Sequence, residues 1–70
     1  MIDNEVKNLI VGSATKYFSK YGFSKTTMDE IAMHIHKAKG VMYYYFKSKE
    51  ELFNEVLKQE LDNVKLELKN

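Results

Sequence analysis

"KGVMYYYFKSKEEL", residues 39–52, sets four aromatic residues in succession and follows them with a lysine-rich turn. At about 100° per residue, four consecutive rings on one short helix point around most of its circumference, so a single core cannot take them all. Met42 and Phe46 lie four apart and share an inward face, while Gly40, Val41, Tyr44 and Lys47 project away from it. Tyr43 and Tyr45 flank the buried pair. Tyr44 is therefore expected to be an exposed ring, and Tyr45 a ring at the core's edge with its hydroxyl in water.

Outward from this stretch the punctuation is sparse, with no Pro and Gly only at 12, 22 and 40, so the chain reads as all-α. Val6, Ile10, Ala14, Tyr17, Phe18 and Tyr21 recur at three- and four-residue steps and predict a first helix over residues 4–21, closed by Gly22 in the left-handed cap conformation. Thr27 precedes Glu30 by three, a capping-box spacing, and Met28, Ile31, Ala32 and Ile35 give the apolar face of a short second helix. The third helix runs over residues 39–46. Ser48 and Glu51 repeat the capping box, and Leu52, Phe53, Val56, Leu57, Leu61, Val64 and Leu68 carry a long fourth helix. Two short helices joined by the turn "HKA" suggest a helix-turn-helix unit in a small, homeodomain-like three-helix core, although an antiparallel helical hairpin has the same pattern at this level. The expected organisation is a helix-turn-helix domain over residues 1–47 and a fourth helix, with linking role, over 48–70.

Seventy residues make one small domain that buries only about 60 to 65% of the surface of its unfolded form, so good helix packing is needed. The absence of Cys removes disulfides and thiolate metal sites. No apolar run approaches a membrane span, and "MIDNEVKN" at residues 1–8 is unlike a signal peptide, so a soluble, cytoplasmic chain without membrane contact is expected. Net charge is only +1, but it is unevenly spread. Residues 16–49 carry seven Lys against Asp29 and Glu30, leaving +5, whereas residues 50–70 carry three Lys against six acids, leaving −3.

An outward Tyr beside lysines, on a short helix that begins Lys-Gly, suits the major groove of DNA. The groove admits one helix, Gly40 permits close backbone approach, Val41 can meet a thymine methyl, and tyrosine hydroxyls and lysines can bond phosphates. Lys49 in the first turn of the fourth helix opposes the helix dipole, which is easier to understand if an anion sits nearby. Thr27 offers a similar arrangement at the second helix, with Lys25 and Thr26 adjacent.

At this point the chain resembles the N-terminal DNA-binding domain of TetR-family transcriptional regulators. "YGFSKTTMDEIA" and "KGVMYYYFKSKEELF" carry the likeness: a Gly ends the first helix, a Thr caps the second, and a Gly-x-hydrophobic-aromatic helix precedes a Lys-x-Lys-Glu-x-Leu entry into the fourth. It covers about residues 5–57. Carried over position by position, the resemblance implies DNA contacts at Thr27, Lys39, Gly40, Val41, Tyr43, Tyr44 and Lys49, with Lys25, Thr26, Lys37 and Lys47 as additional phosphate contacts. It also implies a homodimer on a palindromic operator, repression relieved by a small molecule, and a larger C-terminal domain, absent from these residues, that binds the effector and dimerises.

The turn departs from that pattern. His36, Lys37 and Ala38 stand where the family usually has Gly-Val-Ser, and Val41 stands where it often has Thr. His36 can adopt positive φ, with a cost that Gly avoids, Lys37 cannot fill a buried Val site, and Ala38 lacks the N-cap hydroxyl typically worth about 1 kcal/mol. His34 and His36 form no metal site, because an i,i+2 pair points to different helix faces and no carboxylate cluster completes it. Ser13, Ser19, Ser24 and Ser48 match no His–Asp spacing and no glycine-rich phosphate loop exists, so neither an enzyme nor a cofactor is expected. The rival to DNA binding is a protein-interaction module that uses the exposed tyrosines and the stripe of Leu61, Val64 and Leu68; the lack of Arg speaks for it, and the charge block and motif speak more strongly for DNA.

Overall fold

Four helices follow one another along the chain: α1 (Ile2–Tyr21), α2 (Met28–His34), α3 (Lys39–Tyr45) and α4 (Lys49–Lys69). The computed structural model describes the backbone of residues 2–69 and the side chains of residues 5–61. Among the described residues there is no strand, as the all-α reading requires.

The core forms where the apolar stripes of all four helices converge. Ile10, Val11, Ala14 and Phe18 from α1 meet Ile31 and Ala32 from α2, Met42 from α3, and Leu52 and Val56 from α4, all buried. Ile10, Ile31, Met42 and Leu52 have no exposed surface, so truncating any of them to Ala opens a cavity at a typical cost of about 2 to 5 kcal/mol. Because Leu52 and Val56 sit in the same core as Ile10, the division expected between residues 1–47 and 48–70 separates elements and not cores. Tyr21, counted in the α1 stripe, is half exposed, and Val11, which the stripe omitted, is buried. Leu57 and Leu61 point largely to solvent; the side chains of Val64 and Leu68 lie outside the described residues.

Each end of α1 and α2 that faces the turn region is closed by identifiable bonds. Gly22 takes φ +89°, its N–H donates to the Phe18 carbonyl at 3.0 Å, and the Phe23 ring folds back to 5.7 Å from Phe18, the apolar contact that accompanies such caps. α2 opens with the full capping box: Glu30 N–H donates to Thr27 Oγ1 at 3.1 Å, and Thr27 N–H donates to Glu30 Oε1 at 3.0 Å. It closes in a Schellman motif, with Lys37 N–H donating to the Ala32 carbonyl at 3.0 Å and His36 N–H to the Met33 carbonyl at 3.1 Å. His36 holds the left-handed position of that motif at φ 58°. The turn is thus four residues, 35–38, with Ile35 buried beneath it.

α3 begins without help. Ala38 is its N-cap and supplies no side-chain bond, so its geometry rests on packing of Met42 and Phe46. The cap of α4 differs from the reciprocal box expected there: Ser48 Oγ accepts from Glu51 N–H at 3.2 Å, but Glu51 Oε1 reaches one residue further back, to Lys47 N–H at 3.2 Å. That bond ties the turn after α3 to the first turn of α4.

Candidate nucleic-acid interface

The face of α3 opposite Met42 is the centre of the site. Met42 is completely buried and Phe46 nearly so, and this fixes the rotation of the helix. Tyr44 consequently points to solvent with 69% of its surface exposed, and Tyr43 is borderline at 37%. Tyr45 is half-buried, packs against the core and meets Tyr44 edge-on, their ring centroids 5.0 Å apart. Gly40, Val41 and Tyr44 line one open depression together with Val6, Lys37 and Tyr45.

Gly40 is informative here because the fold does not require it. A Cβ built at this position meets nothing within 4 Å, and the residue is helical without positive φ. Glycine inside a helix costs roughly 0.5 to 1 kcal/mol relative to alanine. The bare backbone leaves the outer surface of the first turn of α3 open to close approach.

The expected cationic contacts divide into two groups. Lys25, Lys37, Lys39 and Lys47 are exposed. Lys39 Nζ pairs with Asp29 Oδ1 at 3.3 Å, but both side chains are more than 60% exposed, so the pair holds weakly and Lys39 can exchange it for another anion. Lys47 Nζ donates to the Tyr43 carbonyl at 3.1 Å, where the negative end of α3 favours a cation. Lys49 behaves differently. Its ammonium donates to the Phe23 carbonyl at 2.7 Å and lies 4.2 Å from the Phe23 ring centroid, which gives its place in the first turn of α4 an internal explanation.

Two threonines adjacent in sequence also separate. Thr27 is exposed at the start of α2, its hydroxyl engaged with Glu30. Thr26, expected as an additional phosphate contact, is fully buried and donates to the carbonyls of Gly22 at 2.8 Å and Tyr17 at 3.2 Å. It is an anchor for the loop between α1 and α2 and has no surface to offer a ligand. No sequence period marks that role; the only hint is a hydroxyl residue one position before a cap, where a loop must return to the core.

Among the described residues no group of His, Cys, Asp and Glu is arranged to hold a metal ion. His34 instead meets the Tyr17 ring edge-on at 5.4 Å. Nor, among those residues, is any helix long and apolar enough to cross a membrane.

Residues 10–56, the whole of the four-helix core, match the model of the family described as bacterial regulatory proteins, tetR family. The chain is 44% identical over 59 residues to the HTH-type transcriptional regulator YhgD of Bacillus subtilis, a protein itself uncharacterised, covering 84% of this chain and 31% of that regulator. It is 44% identical over 52 residues to the HTH-type transcriptional regulator QacR of Staphylococcus aureus, covering 74% of this chain and 28% of QacR. With the probable acrEF/envCD operon repressor of Escherichia coli it shares 35% identity over 51 residues, 73% of this chain and 23% of the repressor. The chain therefore spans less than a third of the length of these relatives. No solved structure matches it significantly. By its family match, and with a buried Met42 turning the exposed face of a helix-turn-helix outward, the chain belongs to the tetR family of bacterial regulatory proteins as a DNA-binding regulatory domain.

Proposed function

We propose that this domain binds double-stranded DNA with α3 in the major groove. Gly40, Val41 and Tyr44 face the base edges. Thr27, Tyr43, Lys25, Lys37, Lys39 and Lys47 lie along the phosphates on either side. Lys49 serves the same face indirectly, by holding Phe23 and the loop that leads to Thr27. The observation that carries this reading is the rotation of α3: complete burial of Met42 leaves Gly40 and Tyr44 on its open side. The exposed lysines around that side supply the sequence-independent part of binding.

In the complete regulator, the domain acts as one arm of a homodimer on a palindromic operator, as a cytoplasmic repressor released by a small molecule bound in a further domain. Support for this wider reading comes from the family and from the repressor named among the relatives. Pairing two arms matters because one half-site engages only a few phosphates, and linkage raises affinity without new contacts.

Selection from a pool of random duplexes at two salt concentrations tests the proposal. A common sequence should emerge, and log affinity should fall linearly with log salt at about −0.9 per phosphate contacted. Recovery of no sequence preference, with affinity indifferent to salt, would instead favour the protein-interaction reading of the exposed tyrosines.

A further inference from the structure

We propose that the site reads the C5-methyl groups of thymine, so that its target is an operator half-site with an A·T-rich core. The inference rests on the DNA reading above and goes beyond it by naming the chemistry that discriminates among sequences.

Discrimination in the major groove comes from Arg or Lys on guanine, Asn or Gln on adenine, carboxylates on cytosine, hydroxyls on several bases, or apolar contact with the thymine methyl. The chain contains no Arg at all, which removes the commonest fork for guanine. The surface of α3 contains no Asn, Gln, Asp or Glu either, which removes the amide forks for adenine and the carboxylate acceptors for cytosine. Apart from the Lys39 ammonium and the Tyr44 hydroxyl, what it presents at the end that enters a groove is carbon: the Ala38 methyl, the bare backbone of Gly40, the half-buried Val41 and the Tyr44 ring. Gly40, Val41 and Tyr44 line a single depression whose wall continues onto Val6 of α1. Gly40 has no packing reason to lack a side chain, so the approach it permits is to something outside the protein.

The lysines nearby do not supply an equivalent code. Lys47 is bonded to the Tyr43 carbonyl and Lys49 to the Phe23 carbonyl, while Lys39, whose exposed pair with Asp29 is weak, is a mobile point charge at the first residue of α3. Lys37 borders the depression as a flexible point charge. Such a charge is satisfied by any phosphate, whereas a methyl cleft is satisfied by thymine alone. Burying one methyl group is worth enough to discriminate about fourfold.

The experiment begins with the duplex recovered by selection. Each thymine of the half-site is replaced in turn by deoxyuridine, which keeps the base pair and deletes only the methyl. Expected is an A·T-rich core, a loss of about three- to tenfold at one to three positions, and no change elsewhere. Val41→Ala and Tyr44→Ala should each bring the thymine-to-uracil ratio toward one at different positions, with the salt slope unchanged. Circular dichroism of both variants separates this result from unfolding, and Tyr44 is exposed enough that its variant folds. A guanine-centred half-site, or indifference to every deoxyuridine, overturns methyl readout while leaving DNA binding intact. Failure to enrich any duplex overturns the DNA reading itself.

Discussion

Lys49 Nζ lies 2.7 Å from the Phe23 carbonyl oxygen and 4.2 Å from the centroid of the same residue's ring, bridging 26 positions of sequence. A cation in the first turn of α4 faces the unfavourable end of the helix dipole. The carbonyl lone pair and the negative face of the ring offset that cost. Phe23 is in turn wedged between Phe18 and Phe53, with centroids at 5.7 and 4.9 Å. The start of α4 is thereby fastened to the loop that ends α1 and leads to Thr27.

Replacing Lys49 by Met keeps the apolar stem and removes the charge. We expect a loss of about 1 to 2 kcal/mol, from a charge-assisted hydrogen bond and a partly exposed cation–π contact. Amide exchange should quicken most in residues 22–27. The salt slope of DNA binding should change by much less than the unit expected for a lost phosphate contact. A full unit lost with unchanged stability would mean that Lys49 leaves Phe23 to meet DNA.

Thr26→Val tests the buried anchor. The side chain is nearly isosteric but cannot donate to the Gly22 and Tyr17 carbonyls. Stability should fall by about 1 to 2 kcal/mol, the cost of leaving buried polar groups short of a partner. In a domain of this size that corresponds to a melting temperature lower by roughly 4 to 15 °C. Binding measured well below the melting temperature should keep its salt slope.

His36→Gly should stabilise the domain. His36 occupies the left-handed position of the Schellman motif at φ 58°, where a Cβ is penalised and glycine is not. It is exposed, so little packing is lost. After the greater chain entropy of unfolded glycine is deducted, a gain of about 0.5 to 1 kcal/mol is expected, read as a rise of a few degrees in melting temperature. A fall would show that the imidazole contributes more than its backbone strain costs.

The sequence made the helices, both N-caps and the rotation of α3 legible, because each depends on spacings of three or four residues. Met42, Phe46 and Thr27 are found by period alone. What escaped it depends on contacts across the chain. Thr27 is marked by its spacing to Glu30, but nothing local records that Thr26, one position earlier, is buried. The internal partner of Lys49, the Phe23 carbonyl, could not be read from the sequence because it is a backbone atom on another element. Glu51 overshot the expected cap by one residue because Lys47 N–H, in the turn between α3 and α4, was within reach. The Asp29 partner of Lys39 likewise needed the angle between α2 and α3.

The tyrosines of α3 provide the sharpest test, because three neighbours of one chemical type differ only in direction. Tyr44 is 69% exposed and its ring touches Tyr45 edge-on, so Tyr44→Ala should cost stability no more than the roughly 0.5 to 1.5 kcal/mol of that ring pair. If the ring meets a base, DNA binding should weaken by about 1 to 3 kcal/mol in a sequence-dependent way. Tyr45 packs against the core, so Tyr45→Ala should lower the melting temperature more than Tyr44→Ala does, and should affect binding mainly through loss of folded protein. Tyr43, at the boundary of exposure, should show some of both effects. Tyr43→Phe then isolates the hydroxyl: a uniform weakening on all duplexes marks a phosphate contact, since phosphates carry no sequence. Melting curves and isotherms on the same protein samples decide the order. If Tyr44→Ala unfolds the domain, or binds every duplex as the parent does, the open face of α3 is not the reading surface.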